Sequence, residues 1–333
     1  MTAPRLIPVG AETHRRNLTG VSTQLLSAAR VGDQDAFHQL VKPHLPALQV
    51  HCYRLLGSYH DAEDAMQDVL LRAWRSLDTY EDRAPLLHWL YRIATTTSLK
   101  IIRKRARQPA TIAEIDYLEP YPDHLIDPAI LAEQRESVSL AFVTALQLLP
   151  ATQRAVLILR EVLTWTAAEV ANLLDTTVPA VNSMLQRARS TLRADVHKRP
   201  LTEADRTVLT QFIDAWHRRD IAGLTALLRA DAELRMPPET AEFIGRDEVI
   251  GFFSTVPAEG RLETIRLVPT QANGQLAVAA FDSDKDGRWR PYGLMVFDFD
   301  GDTISGITGF PSCELASNPH CAPNTVFEGR APA

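Results

Sequence analysis

The chain reads as two all-α blocks followed by an α+β domain, and three observations predict that order. Apolar residues recur at three- and four-residue steps through most of residues 22–107 and again through 131–198. Residues 108–130, between them, hold Pro109, Pro120, Pro122 and Pro128 with no sustained period, the texture of a linker. Beyond Pro200 one more helical stretch gives way to short strand-like runs broken by Gly, Asp and Asn, the helix-then-strand order of an α+β domain over about 202–325. At 333 residues, 45% hydrophobic and 23% charged, the chain is long enough for two or three ordinary cores.

Residues 1–20 carry no period and read as a disordered lead. The first helical block breaks once, at Gly57-Ser58, before an acidic amphipathic helix over Asp61–Trp74. Its apolar stripe is Ala62, Ala65, Met66, Val69, Leu70, Ala73 and Leu77. Asp61, Asp64, Gln67 and Asp68 fall on the opposite face, with Asp61 where an N-cap belongs. Tyr80, Arg83, Trp89, Tyr91 and Arg92 follow, and then Lys100, Arg103, Lys104, Arg105 and Arg107. An acidic face suits a basic protein partner, whereas rings interleaved with cations suit unpaired bases and their phosphates. Trp74 and Trp89 border the apolar stripes, where core packing competes with base stacking. Tyr80 and Arg83 fall outside regular helix, where DNA contact is the stronger reading.

In the second block, Thr166-Ala167-Ala168-Glu169 is a capping box that opens a short helix. A turn at Asp175-Thr176-Thr177 leads to a second helix beginning near Val178, with Val178, Val181, Leu185, Ala188 and Leu192 inward. Thr177 opens it, and Ala180, Asn182, Ser183, Gln186, Arg187, Arg189 and Arg193 face outward. This is a helix-turn-helix whose second helix shows the amide, hydroxyl and guanidinium groups that bond base edges and phosphates in a major groove. In the third domain, Thr202–Ala230 is helical, and strands are expected at Ala232–Met236, Leu262–Val268, Leu276–Phe281, Leu294–Phe299 and Thr303–Phe310.

Charge is divided unevenly. The net charge of -6 conceals 23 Lys/Arg against 21 Asp/Glu in residues 1–199, and 12 against 20 in the remainder. Nucleic-acid contact therefore belongs in the first two-thirds. Cys52, Cys313 and Cys321 have no metal-binding spacing and read as reduced thiols. Asp282-Ser283-Asp284-Lys285-Asp286-Gly287 copies half of a calcium loop, but Gly293 stands where the bidentate Glu is required. No metal, cofactor or catalytic residue is expected. With neither an apolar membrane span nor a signal-like N-terminus, the expected location is the cytoplasm.

Several motifs, in order and at compatible spacing, resemble the extracytoplasmic-function (ECF) group of bacterial RNA polymerase sigma factors. They are Gly32-Asp33 with Ala36-Phe37, Tyr53–Gly57, Asp61–Asp68, Trp89–Ala94, Leu149–Arg154 and Val181–Arg189. The resemblance implies a sigma domain 2 at 22–107, a linker at 108–130 and a sigma domain 4 at 131–198. It implies that Asp61, Asp64, Gln67 and Asp68 contact the clamp helices of the beta-prime subunit of core RNA polymerase, with the beta subunit a further contact. It places Tyr80, Arg83, Trp89, Arg92, Lys100, Arg103 and Lys104 on the minus-ten element and its melted strand. Thr177, Asn182, Ser183, Gln186, Arg187 and Arg189 would read the minus-thirty-five element, and an anti-sigma protein is a candidate partner. One departure is Thr95-Thr96-Thr97-Ser98, in a segment where the family usually carries an Asn.

Residues 202–325 resemble a SnoaL-like domain, a ketosteroid-isomerase-like cone of sheet and helices. The resemblance is carried by Trp216 with Asp220, Asp231 to Pro238, Gly245-Arg246-Asp247 and Pro269 to Gln275. Asp214 and Asp231 are candidate bases and Tyr292 a candidate donor, but no histidine between His217 and His320 completes a dyad. The expected role is regulatory. Two readings of the whole chain compete: a ligand-responsive helix-turn-helix regulator that acts without polymerase, and a small-molecule isomerase or hydrolase with a DNA-binding appendage, for which no catalytic constellation is found.

Overall fold

The computed structural model describes residues 23–105, 118–126, 128, 137–192, 201–237, 242–283 and 288–311. Residues 1–20, Arg107, Arg193, Asp284 to Gly287, Cys313 and Cys321, on which expectations were placed above, lie outside them. Two compact units divide the described residues: those up to 105 with those from 125 to 192, and 118–124 with 201–311. Both helical blocks thus share the first unit, and part of the expected linker belongs to the second.

The first block folds as α1 (Thr23–Arg30), α2 (Gln34–Val41), α3 (Leu45–Leu56), α4 (Tyr59–Arg75) and α5 (Leu86–Arg105). Asp33 caps α2 by accepting the Ala36 N–H at 3.0 Å. Gly57 ends α3 in the left-handed conformation, φ 79°, which a residue without Cβ adopts at no steric cost. The extended Ser58 that follows is the true cap of α4, its Oγ accepting the Asp61 N–H at 3.1 Å. Asp61 therefore sits in the first turn rather than at the cap, because the Gly57-Ser58 reversal starts the helix early. Ala62, Ala65, Met66, Val69 and Ala73 are buried as the periodicity requires, and Leu71 is left exposed.

Between α3 and α5 lies a polar knot. His51 is fully buried, with Nε2 2.8 Å from the Thr95 hydroxyl and its ring edge-on to Tyr91. Thr95 thus serves as a partner inside the core. Burial, aided by the Arg54 charge, pushes the His51 pKa down to about 3 from an ordinary 6.5. Between those values the unfolded chain binds a proton that the folded chain does not, so stability falls as pH falls through that window. Urea midpoints measured at pH 7 and pH 5 should therefore drop at the lower pH. His51→Gln, which keeps an amide for Thr95, should flatten the drop, and an unchanged pH slope would contradict the assignment.

The second block contributes α6 (Leu140–Gln147), α7 (Ala151–Leu157), a π-helical turn Ile158–Val162, α8 (Ala167–Leu173) and α9 (Val178–Thr191). The capping box at Thr166 and Glu169 forms reciprocally, as its sequence requires. Val181, Leu185 and Ala188 turn inward, whereas Val178, expected inward, lies in the first turn and is 40% exposed.

The second unit packs α10 (Glu203–His217), α11 (Ile221–Leu227) and α12 (Arg246–Thr255) on one six-stranded sheet. Its strands are β1 (Leu228–Arg235), β2 (Glu242–Ile244), β3 (Ile265–Ala272), β4 (Gln275–Ser283), β5 (Trp289–Asp300) and β6 (Thr303–Pro311), in the order β2-β1-β6-β5-β4-β3. Among the described residues only the β1–β6 pair is parallel. Phe212, Trp216, Phe253, Phe297 and Val278 anchor its core, so the aromatic spacing there builds packing. Thr202–Ala230 is not one helix: Arg219, at φ 53°, breaks it before α11, and β1 starts already at Leu228.

Candidate protein and nucleic-acid interfaces

On α4, alternation between buried and exposed turns leaves Asp64, Gln67 and Asp68 on the surface, one turn apart. Asp61 is half-buried and ion-paired to Arg105 at the end of α5. The acidic helix and the basic helix are thereby tied at one point.

Along α5, Trp89, Arg92, Thr96, Lys100 and Arg103 recur at three- and four-residue steps, so they share a face, with Lys104 beside it. Trp89 is half-buried and Arg92, Lys100, Arg103 and Lys104 are exposed. Tyr80 is not a surface ring: it is 3% exposed, donates its hydroxyl to the Ala84 carbonyl at 2.8 Å, and lies 5.6 Å from the Trp89 ring. Tyr80 props Trp89 from beneath, a role that tertiary contact decides. Arg83 is exposed on the loop and pairs with Glu81 at 3.0 Å.

On the helix-turn-helix, Thr177 spends its hydroxyl capping α9, accepting the Ala180 N–H at 3.3 Å. Asn182, Ser183, Gln186 and Arg187 are exposed and form two adjacent rows, Asn182 with Gln186 and Ser183 with Arg187. Arg189 is already engaged by Glu161 of the π-helical turn. That partner lies 28 residues away and has no local signature in the sequence. Glu169 carries a carboxyl held below its usual range chiefly by the Thr166 hydroxyl.

In the second unit the candidate catalytic groups do not converge. Asp214 and Asp231 are exposed, and Asp231 pairs with Arg229 at 2.5 Å. Tyr292 is 37% exposed, its hydroxyl 3.4 Å from the Ala258 nitrogen. What that unit does hold is a piece of the inter-block linker. β3 and β4 are joined by Asn273-Gly274, both at positive φ, a two-residue hairpin turn. The buried Asn273 accepts the Tyr121 N–H on its side-chain oxygen at 2.7 Å and donates its own N–H to the Tyr121 carbonyl at 2.8 Å. Asp123 accepts the Gly274 N–H at 2.7 Å, and Pro122 bridges to Ala272. The linker is thus held like an added strand at the sheet edge.

An acidic helix tied to a ring-and-cation helix, followed by a capped helix-turn-helix, defines a sigma-type initiation factor. The family description Sigma-70 region 2 matches residues 40–108, Sigma-70 region 4 matches 139–192, and SnoaL-like domain matches 209–307. The ECF RNA polymerase sigma factor SigG of Mycobacterium tuberculosis is 36% identical over 331 residues, spanning 91% of this chain and 89% of that protein. SigW of Bacillus subtilis is 29% identical over 173 residues, 50% of this chain and 92% of SigW. The crystal structure of Mycobacterium tuberculosis SigJ superposes with a TM-score of 0.60 at 20% identity, covering 86% of this chain and 99% of that one, a likeness of fold. The chain belongs to the ECF RNA polymerase sigma factors, proteins that bind core polymerase and direct it to promoters, and it carries a C-terminal SnoaL-like domain.

Proposed function

We propose that the three modules divide the work of initiation. Residues 22–107 dock on the beta-prime clamp helices through Asp64, Gln67 and Asp68 of α4, and hold the melted minus-ten strand along α5. Trp89 supplies the stacking surface, supported by Tyr80, while Arg92, Lys100, Arg103 and Lys104 take phosphates. Stacking worth about 1–3 kcal/mol per base repays the few kcal/mol that unstacking costs. Residues 131–198 read the minus-thirty-five element through Asn182, Ser183, Gln186 and Arg187, with Arg189 and Thr177 holding the recognition helix in place. The observation that carries this reading is the pairing of opposite surfaces on consecutive helices, acids on α4 and a ring with cations on α5.

Residues 202–325 regulate rather than catalyse, and the chain acts in the cytoplasm beside polymerase. Among the described residues no helix is long and apolar enough to cross a membrane. The hold on Tyr121, Pro122 and Asp123 supports the regulatory role, since it ties the C-terminal domain to the segment joining the two DNA-reading blocks. Asn273→Ala removes a fully buried acceptor and should cost about 1–3 kcal/mol locally. Amide exchange at Tyr121 should then accelerate at least tenfold and transcription activity should change; protection equal to wild type would refute the hold. Co-elution of the full chain with purified core polymerase in size exclusion tests the proposal as a whole, and separate elution at micromolar concentration would refute it.

A further inference from the structure

We infer that Glu161, on the π-helical turn, sets how tightly the helix-turn-helix holds DNA of any sequence: it occupies Arg189 on the reading face of α9 and so keeps one latent phosphate contact closed. The inference rests on the sigma-factor reading and deepens it.

Arg189 belongs to the row that faces DNA in that reading. It stands three residues beyond Gln186 and seven beyond Asn182, so the three share one face of α9, and all are exposed. A guanidinium at the end of such a row suits a phosphate, a contact that adds affinity without sequence information. Its terminal nitrogen instead meets the Glu161 carboxylate. The Glu161 side chain is only 15% exposed, against 51% for Arg189. The acid is therefore the fixed partner and the cation the one with room to turn toward a phosphate.

Glu161 stands on a rigid mount. α7 widens into the turn Ile158–Val162, where an extra residue re-aims the side chains that follow. The Leu163 N–H donates to the Ile158 carbonyl at 3.0 Å and the Trp165 N–H to the Leu159 carbonyl at 2.9 Å. Arg160 closes the turn by donating to the Trp165 carbonyl. Between these bonds Thr164, a β-branched residue, is held at φ 56°, a conformation it keeps only where its surroundings impose it. The carboxylate is thus aimed at the last turns of α9 from 28 residues away.

Stability does not account for the pair. Val181, Leu185 and Ala188 seat α9 in the core and Thr177 caps it, and an ion pair this exposed adds little to a fold. Its effect is on charge. A carboxylate beside the reading row cancels one cation and repels phosphates, which weakens the grip on every sequence alike. Asn182, Gln186 and Arg187 are left with a larger share of the total hold on DNA, the share that depends on base edges.

The test uses holoenzyme assembled from core polymerase and the full chain. Its two DNAs are a promoter duplex taken from a mapped start and the same duplex with only the upstream element scrambled. Glu161→Gln should tighten binding to both by the same factor, at least threefold at low salt. That gain should grow roughly threefold between 200 and 50 mM salt, the signature of one added phosphate contact. In an Arg189→Gln background the same change should give less than half the gain on a logarithmic scale. Weaker binding to both duplexes would show that the pair only seats α9. An equal gain in both backgrounds would show a bare charge effect, and a gain confined to the intact element would show base reading. Each of these overturns the inference and leaves the sigma-factor reading intact. Wild-type holoenzyme that holds the intact duplex no better than core polymerase alone would sink that reading and the inference with it.

Discussion

Replacing Asp64 and Gln67 together by alanine should weaken association with core polymerase by about 30-fold, a loss on the order of 2 kcal/mol. Both side chains are exposed on α4, one turn apart, so neither supports the fold and helical content should be unchanged. Asp61→Ala should cost less at this interface, because its carboxylate is committed to Arg105. Exposed charges act largely through encounter, so the deficit should shrink as salt rises. Titration of labelled variant against core polymerase reads the effect. Holoenzyme formation at wild-type affinity would refute the docking face.

The second large effect concerns reading of the duplex. Arg187→Ala should cost about 1–3 kcal/mol on the cognate upstream element and much less on a scrambled one, if its guanidinium bonds a base edge. Arg187 is exposed on α9, in the row it shares with Ser183 and one turn further toward the C-terminal end. Arg189→Ala should have a smaller and sequence-independent effect, since Glu161 already holds that side chain. An equal loss from Arg187→Ala on both DNAs, with a salt slope reduced by about one, would show a phosphate contact instead.

Local chemistry made much of this protein legible. A capping box is a four-residue statement, so the start of α8 at Thr166 and the following turn could be read directly. Gly57-Ser58 announced a helix end and a new cap in the same way, although the cap proved to be Ser58 rather than Asp61. The five longer strands were visible as short strand-like runs between turn residues, although Leu262–Thr264, expected as the start of one, forms a 3-10 turn ahead of β3. β2, with three residues, and α12, whose Gly251 and paired Phe252-Phe253 blur its period, were not. Long-range partners were beyond reach. Tyr80 looks like a free ring until the Ala84 carbonyl and Trp89 are placed around it. Arg154 bonds a carbonyl 99 residues away, and Asn273 a backbone 152 residues away. Nothing in the immediate neighbourhood of either residue encodes such a partner.

In the proposed division of work, acids on α4 recruit polymerase while α5 and α9 choose where it starts. Transcription of genomic DNA by purified core polymerase, with and without the full chain and with start sites mapped, tests it most directly. New starts sharing two upstream motifs, absent without the chain and lost with the Asp64 and Gln67 double variant, are the expected result. An unchanged start-site profile in the presence of the chain would contradict it.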